Sequence, residues 1–447
     1  MRIASILLML TVSVAAAVAQ TPQGANNDIN LLIGAIRRGD LGSMEALLAA
    51  GLDPNLSGRG GQTPLNFAIV VVNQRSAVSL LLKWHADPNQ PLDSIARNDQ
   101  FPLTPLLYAV HVGDLQLISL LLDNGARIDT KGPGGRTALH LAVAGGCPGT
   151  LQVIPDKAAD GDCLDTLRVL LDKGADPNLR DAEGASPLDD AVWRGSADEV
   201  AMLLAHGAHL NEPDAQTGAT PIGEAAFRGY AQVVQLLLQS HPDLEIADKR
   251  GFTPLDNAIR MRKEEAALLL LNAEPKDRFT AAFLDKITND AISKDLVHLT
   301  EALLSKGVAV NSTMSSGSTP LGTAAFAGAA EVVRFLLDRS ADPNLSDSDG
   351  AAPLWIASLK GFDAIAGTLL DHGAAINRLN TSSATTALHE AASLGQEKVV
   401  KLLLDRGADA TICGNNRKSP YQAALGNGYR DVAIQIQNRG GATGCKQ

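Results

Sequence analysis

The sequence predicts an all-α solenoid, in which short helical hairpins stack in single file. Three observations support this prediction. A phrase of the type Thr-Pro-Leu recurs, and most gaps between copies are 33 or 34 residues. Apolar residues at helical spacing follow each copy, and a glycine follows in most of them. Aromatic residues make up only 4% of the chain, which suits closely packed short helices better than a sheet sandwich. The copies begin at Thr63, Thr104, Thr137, Ser186, Thr220, Thr253, Thr319, Ala352, Thr386 and Ser419.

One copy, residues 186–211, shows how the pattern specifies two helices. Pro187 fits the first helical position because no backbone N–H is needed there, and Ser186 can cap that helix. Gly195 allows a tight turn, and Gly207 ends the second helix. The apolar faces of the two helices consist of Leu188, Ala191, Val192, Val200, Leu203 and Leu204.

Two motifs resemble the ankyrin repeat. They are the phrase Thr137-Ala138-Leu139-His140 and the intact segment Gly174-Ala175-Asp176-Pro177-Asn178. The resemblance implies pairs of antiparallel helices with β-hairpin loops that project at right angles. It also implies a surface that binds other proteins, although ankyrin surfaces bind unrelated partners.

The period uncovers two further copies that lack the phrase. A degenerate unit is expected near 286–318, starting at Lys286, because the gap from Thr253 to Thr319 is twice the period. Another starts at Asn30. Gln435 and Gln437 replace leucines of the preceding copy, as in a C-terminal cap, so we expect no truncated domain beyond the array. The predicted organisation is a signal peptide at 1–19, a lead-in at 20–29, about twelve repeats at 30–439 with insertions near 90–102 and 147–162, and a tail at 440–447.

The first 19 residues predict export. Arg2 precedes an apolar, alanine-rich stretch at 6–18, and Ala17-Val18-Ala19 forms a small-x-small cleavage site. The stretch is too short for a spanning helix. We therefore expect a periplasmic or secreted protein that is not inserted in the membrane after the signal is removed.

Four cysteines favour disulfides in an exported chain. They are Cys147, Cys163, Cys413 and Cys445. Three pairings are possible, and we favour 147–163 with 413–445 because each of these pairs is local. The alternative is four buried or free thiols. No Cys-x-x-Cys pair supports a metal site.

The sequence carries little that predicts catalysis or nucleic-acid binding. The net charge is −11 and there is no dense Lys/Arg tract, which disfavours nucleic acid. No serine-nucleophile, phosphate-loop or zinc motif is present. The glycine-rich segment 132–135 lies in a predicted loop. His140 and His389 occupy the fourth position of the phrase, where the resemblance implies hydrogen bonding to neighbouring backbone. We expect no metal and no cofactor.

A row of aromatic and basic side chains is the strongest functional signal. The resemblance places the residue seven positions after the start of each phrase on the concave surface. Trp, Phe and Arg are enriched at binding hot spots. The alternative is that these side chains pack against the adjacent repeat. The candidate partner-binding residues are Trp193, Phe227, Arg260 and Phe326 at this position, Arg194 and Arg228 at the next one, and Phe252 at a hairpin tip.

These observations predict a monomeric, non-enzymatic scaffold that binds a protein partner through its concave face and hairpin tips. One alternative is a site for glycans or small molecules on the inner groove, and another is an effector that acts on host proteins. An enzyme with its site in the insertions is a further alternative, although the insertions lack a convergent nucleophile, base and oxyanion donors.

Overall fold

The computed structural model describes residues 22–58, 62–92, 104–144, 163–415 and 417–440, without the side chains of residues 22–27 and 163. The chain forms two compact units. Unit 1 comprises the chain up to Glu224 together with Leu236–Asp243, and unit 2 comprises Ala225–Gln235 and the chain from Leu244 onward. The predicted signal peptide, residues 93–102 and 147–162 of the insertions, and residues 441–447 of the tail lie outside the described residues.

Unit 1 consists of short helices that follow one another in pairs. They are α1 (Pro22–Arg38), α2 (Leu41–Ala49), α3 (Pro64–Phe67), which continues into a π-helical turn (Ala68–Val72), α4 (Arg75–Lys83), α5 (Pro105–His111), α6 (Leu115–Asp123), a 3-10 turn (Pro133–Gly135), α7 (Ala138–Val143), α8 (Cys163–Asp172), α9 (Pro187–Arg194) and α10 (Ala197–Ala205). Two further helices, α11 (Pro221–Arg228) and α12 (Ala231–Gln239), are divided between the two units.

Unit 2 has the same construction. Its helices are α13 (Pro254–Arg260), α14 (Glu264–Ala273), a 3-10 turn (Lys276–Arg278), α15 (Ala281–Ser293), α16 (Val297–Ser305), α17 (Pro320–Ala327), α18 (Ala330–Asp338), α19 (Pro353–Lys360), α20 (Asp363–Asp371), α21 (Ala387–Ser393), α22 (Glu397–Asp405), α23 (Pro420–Gly426) and α24 (Arg430–Asn438). Each first helix from α13 to α21 contacts the first helix of the next pair, and each second helix from α14 to α22 contacts the next second helix.

The recurring phrase sets where the first helix of each pair begins. Thr319 is the N-cap of α17, and its hydroxyl accepts from the Gly322 N–H at 3.0 Å. Pro320 follows at the first helical position, where its missing N–H leaves no hydrogen bond unmade. The helix ends at Gly328, whose φ of 75° is a left-handed conformation that glycine adopts without strain.

A small residue in the middle of each first helix lets neighbouring helices approach closely. Alanine occupies this position in nearly every pair and is almost completely buried. Leucines on both helices of a pair fill the rest of the core, each contributing about 1.5–3 kcal/mol on burial. The buried alanines of this series are Ala68, Ala109, Ala142, Ala191, Ala225, Ala258, Ala291, Ala324, Ala357, Ala391 and Ala424.

The asparagine that ends the Asp-Pro-Asn turn links one repeat to the next. Asn344 donates from its amide to the Gly373 carbonyl at 3.2 Å and accepts from the Ala375 N–H at 2.7 Å. The equivalent amides of Asn55, Asn89 and Asn178 make the same pair of bonds. This structural role explains why Asn recurs at this position, including Asn55 and Asn344, which each also begin an Asn-Leu-Ser glycosylation motif.

The projecting loops are tight turns, and the described residues contain no β-strand. A backbone hydrogen bond closes each tip; in one of them the Asp347 N–H donates to the Ala351 carbonyl at 3.0 Å. Adjacent tips also touch, since the Ser348 N–H donates to the Gly317 carbonyl at 2.9 Å. The prediction of an all-α solenoid of helical hairpins is confirmed. The predicted β-hairpin loops are tight turns in the described residues, held by hydrogen bonds of this kind rather than by paired strands.

The degenerate unit departs from the predicted boundary. Its first helix, α15, begins at Ala281, five residues before Lys286, and has 13 residues where the neighbouring first helices have seven or eight. Thr280 caps it by accepting from the Phe283 N–H at 3.2 Å. The chain thus enters the helix early because a cap occurs upstream of the register that the 33-residue period predicts.

Cys413 is the one cysteine whose side chain belongs to the described residues, and it is disulfide-bonded. The pairing of Cys147 with Cys163 and of Cys413 with Cys445 stays a prediction. No helix in the described part of the chain is both long and apolar enough to cross a bilayer.

Candidate protein-binding site

The structure brings three of the seven predicted binding residues together in unit 2. Phe227 lies near the end of α11, Phe252 lies in the tip that follows, and Arg260 ends α13. Arg228 follows Phe227 directly. Phe326 lies in the last turn of α17 in the same unit, where its ring contacts Lys360. Trp193 and Arg194 end α9 in unit 1, where the Trp193 side chain is 59% exposed.

A fourth residue, Arg250, connects the aromatic rings. Its guanidinium carbon lies 5.5 Å from the ring centroid of Phe227 and 5.8 Å from that of Phe252. The guanidinium carbon of Arg260 lies 3.6 Å from the centroid of Phe252. Two arginines and two phenylalanines therefore alternate, and we call Phe227, Arg250, Phe252 and Arg260 the arginine–aromatic array. Cation–π contacts of this kind contribute about 0.5–2 kcal/mol each.

Sequence reasoning missed Arg250. The residue stands in a loop tip, where a charged side chain ordinarily faces solvent. The sequence did contain a signal for Arg250, which stands two residues before Phe252 with Gly251 between them. A turn at a glycine can bring the two flanking side chains to the same side of the loop. Gly251 has a φ of 82°, which completes this turn.

Asp248 holds the tip of the array in place. Its side chain is only 1% exposed and accepts backbone N–H bonds from Arg250 at 2.8 Å and Phe252 at 3.1 Å. It also accepts from the Arg250 guanidinium at 2.7 Å and from the Asn257 amide at 3.2 Å. One carboxylate therefore orders the loop backbone and orients the arginine.

Opposing effects act on the pKa of Asp248. Burial raises it, but the hydrogen bonds from the Phe252 N–H, the Arg250 side chain and Asn257 together outweigh burial and bring the pKa to about 2. The carboxylate is therefore ionised at neutral pH and pairs with Arg250. Asp248 and the two nearby rings orient the Arg250 guanidinium, while its side chain stays 54% exposed.

Around the array, two acidic side chains are buried, whereas the nearby basic side chains are at least partly exposed. Asp248 and Asp256, which pack against it, are buried, and Asp256 pairs with Lys286. Arg260 forms no salt bridge with a carboxylate in the described part of the chain. The cations Arg228, Lys249, Arg250, Arg260, Arg262 and Lys263 are all at least partly exposed. A locally cationic, aromatic surface thus exists on a chain whose net charge is −11.

Phe326 lies beside another cation, Lys360. Its side chain is 57% exposed, and the Lys360 ammonium lies 3.8 Å from its ring centroid. It borders a cavity of about 320 Å³ that Asp347, Asp349 and Trp355 also line. The Trp355 indole N–H donates to the Thr385 hydroxyl at 3.0 Å, so this ring is fixed against the next repeat.

His140 and His389 are buried and bridge adjacent repeats. Nε2 of His140 lies 3.0 Å from the Ala185 carbonyl, and Nε2 of His389 lies 3.1 Å from the Lys418 carbonyl. Nδ1 of His140 accepts from the Thr137 N–H at 3.2 Å, so Nε2 carries the proton. Burial lowers the pKa of both rings, which keeps them neutral in this structural role.

The described residues hold no group of three or more His, Cys, Asp or Glu side chains that could bind a metal ion. The Asp side chains of the Asp-Pro-Asn turns serve their own backbone, as when Asp342 accepts from the Asn344 N–H at 2.8 Å. Short polar side chains commonly stabilise turns in this way.

Family models of the ankyrin repeat match most of the chain. "Ankyrin repeats (3 copies)" matches residues 93–163, 211–279 and 289–380, "Ankyrin repeats (many copies)" matches 170–225, and "Ankyrin repeat" matches 385–415.

Three similar proteins illustrate the range of relatives. Cyclin-dependent kinase 4 inhibitor B of Bos taurus is 32% identical over 120 residues, which are 27% of this chain and 84% of that protein. B-cell lymphoma 3 protein homolog of Mus musculus is 30% identical over 157 residues, 35% of this chain and 32% of that protein. Glycerophosphocholine phosphodiesterase gde1 of Schizosaccharomyces pombe is 34% identical over 103 residues, 23% of this chain and 8% of that protein. The match thus spans only a small part of the last two proteins.

Proposed function

This chain belongs to the ankyrin-repeat family, and we propose that it is a non-enzymatic scaffold that binds a protein partner through the arginine–aromatic array. Stacked helical hairpins expose a row of side chains without needing a larger core, which suits recognition of an extended surface. One relative, cyclin-dependent kinase 4 inhibitor B, is named as an inhibitor, whereas gde1 is named as an enzyme and is matched over only 8% of its length.

The alternation of Phe227, Arg250, Phe252 and Arg260 carries this proposal. Arg and aromatic residues dominate the energetics of protein interfaces because they combine large apolar faces with directional donors. Asp248 fixes Arg250 before any partner arrives, so less side-chain entropy is lost on binding.

Because the exposed charges around the array are positive, we expect the partner's contact surface to be acidic. Arg260 is exposed beside the Phe252 ring and forms no salt bridge with a carboxylate in the described part of the chain. A carboxylate from a partner can pair with such a guanidinium in a bidentate geometry. Association should therefore weaken as salt concentration rises, because exposed charges are screened.

A variant that removes the array tests the proposal. A photo-crosslinking residue at Arg262, beside the array, first identifies the partner. The dissociation constant of the purified partner is then measured for the wild type and for Phe227→Ala/Phe252→Ala/Arg260→Ala. We expect affinity to fall about tenfold or more, since hot-spot truncations cost 2 kcal/mol or above.

Phe335→Ala/Arg339→Ala is the matched control, because Arg339 lies 4.9 Å from the centroid of Phe335 in the same kind of contact on the second helix α18. Equal affinities of the array variant and the wild type, with unchanged circular dichroism, would refute the proposal.

The cavity beside Phe326 favours a second candidate function, binding of a glycan. Phe326 and Trp355 provide apolar faces, while Asp347, Asp349 and the serines that follow Asn380 provide polar groups around about 320 Å³. Sugars bind where such groups converge. A change in tryptophan fluorescence on adding oligosaccharides, absent in Trp355→Phe, would support this function, and no change across a panel of oligosaccharides would exclude it.

The proposal includes export through residues 1–19. Export would place Cys413 in an oxidising compartment, where disulfides persist. Fractionation of cells that express the full chain, with and without residues 2–19, tests this. Equal cytoplasmic retention of both forms would contradict export.

A further inference from the structure

The degenerate repeat breaks the pattern of the core at one position. The third residue of the phrase is a buried leucine in eight copies, each at most 3% exposed. One period after Leu255 and one before Leu321, the residue is Thr288. The leucines of this series are Leu65, Leu106, Leu139, Leu188, Leu255, Leu321, Leu354 and Leu388.

Thr288 is 1% exposed, and its hydroxyl has no hydrogen-bond partner in the described part of the chain. A buried hydroxyl in a helix ordinarily donates to the carbonyl four residues earlier. Thr300 and Ser358 in this unit do so, at 2.7 Å and 2.8 Å. The unmade bond at Thr288 destabilises the fold, and such departures from pattern are expected at functional positions.

A groove of about 840 Å³ lies at Thr288, between α15 and the segment 307–316. This volume falls within the range of ligand-binding sites. The groove exists because only seven residues separate α14 from α15, so the repeat has no projecting tip. Elsewhere in the unit a tip contacts the next one, as Gly317 contacts Ser348. Here the Ser315 N–H bonds instead to the Asp285 carboxylate, at 3.1 Å.

The charge of the groove is negative. Asp285 and Asp290 line it, and the ammonium of Lys286 is already paired with Asp256. Burial raises the pKa of Asp290, and the charges of Lys286, Lys294 and Arg260 only partly offset the loss of water. Leu284, Val308 and Met314 add apolar surface.

We propose that this groove is a second binding site, which takes an extended peptide segment with a lysine or arginine side chain in the place of the missing loop tip. The basic side chain lies against Asp285 and Asp290, and the Thr288 hydroxyl donates to an acceptor of the segment. The site goes beyond the arginine–aromatic array, which fits an acidic surface, and none of the array's four residues lines the groove.

Selection from a displayed library of short random peptides on the full chain tests the site, with the Thr288→Leu variant as counter-selection. We expect retained peptides to be enriched in Lys and Arg. Their affinity, measured by calorimetry, should fall about tenfold or more in Thr288→Leu and in Asp285→Asn. The array variant Phe227→Ala/Phe252→Ala keeps Arg260, whose charge lowers the pKa of the groove residue Asp290. It should bind the peptides as the wild type does, which separates this site from the array.

Thr288→Val serves as a second variant if leucine overfills the groove, since it removes the hydroxyl and keeps the side-chain shape. Both variants should melt at or above the wild-type temperature, because they remove an unpaired buried hydroxyl. The proposal is overturned if no peptide is retained, if retained peptides are acidic, or if they bind Thr288→Leu and Thr288→Val as tightly as the wild type.

Discussion

Arg260 lies with its guanidinium carbon 3.6 Å from the ring centroid of Phe252, although one residue ends a helix and the other lies in a loop tip. The contact depends on a third residue. Asp248 accepts the Phe252 N–H at 3.1 Å and thereby fixes the direction in which the ring leaves the loop. The buried carboxylate is thus a positioning residue for the exposed array.

Replacing Asp248 with Asn should therefore weaken both the tip and the array. The amide cannot carry the charge that pairs with Arg250, nor accept all the bonds that Asp248 accepts. We expect the free energy of unfolding to fall by about 1–3 kcal/mol, as for other buried charged hydrogen bonds. Urea unfolding measures this loss.

Asp347→Asn is its matched control. Asp347 occupies the equivalent place three periods later and accepts the Asp349 and Ala351 N–H groups without an arginine. An equal loss in both variants would show that Arg250 adds nothing to the role of Asp248.

Asp190 should make stability depend on pH in unit 1. Burial raises the pKa of this carboxyl to about 6, and the ion pair with Arg136 only partly offsets burial. Asp181 and Asp189 raise the pKa further, and Arg194 lowers it. Because the folded pKa exceeds the unfolded value of 3.8, the folded state binds the proton more tightly.

Stability of the wild type relative to Asp190→Asn should consequently rise as the pH falls from 7 to about 4.5, by about 1–3 kcal/mol. Chemical unfolding of both proteins across this range isolates Asp190, since the other carboxyls titrate in both. A difference that stays flat, or that falls with acidification, would contradict the assignment.

Gly135 and Gly125 should respond differently to alanine. Both have positive φ, 71° and 89°. A Cβ on Gly135 would lie 2.7 Å from the backbone nitrogen of Ala182, whereas a Cβ on Gly125 meets no atom within 4 Å. Gly125→Ala should cost about 1 kcal/mol from backbone strain alone, and Gly135→Ala about 1–3 kcal/mol more because the adjacent tips must separate. Melting temperatures that fall equally would refute the steric argument.

Asn344→Ala should loosen the junction between two repeats. The amide of Asn344 donates to Gly373 and accepts from Ala375, so its removal leaves two backbone groups without a partner. A cost of about 1–3 kcal/mol follows. Asn344→Asp keeps the acceptor and loses the donor, so its cost should be intermediate. Hydrogen exchange of the Ala375 amide measures the effect locally, and unchanged protection in Asn344→Ala would contradict it.

The repeat pattern predicted most of the helix starts because each copy encodes its own cap, proline and apolar face within about 30 residues. It did not predict the early start of α15, where Thr280 caps a helix outside the expected register. It identified Phe227, Phe252 and Arg260 as site candidates and missed Arg250. The reason is that a side chain in a loop tip acquires its neighbours only after two repeats have docked.

The sequence by itself determined the period, the all-α hairpin architecture and the types of residue that alternate along the surface, since these are local properties repeated at fixed spacing. Only the tertiary structure decided which of those residues touch, because contacts such as Arg250 with Phe227 join positions from successive repeats. It likewise revealed the groove at Thr288, since a missing loop tip becomes a cavity only when the helices on either side are packed.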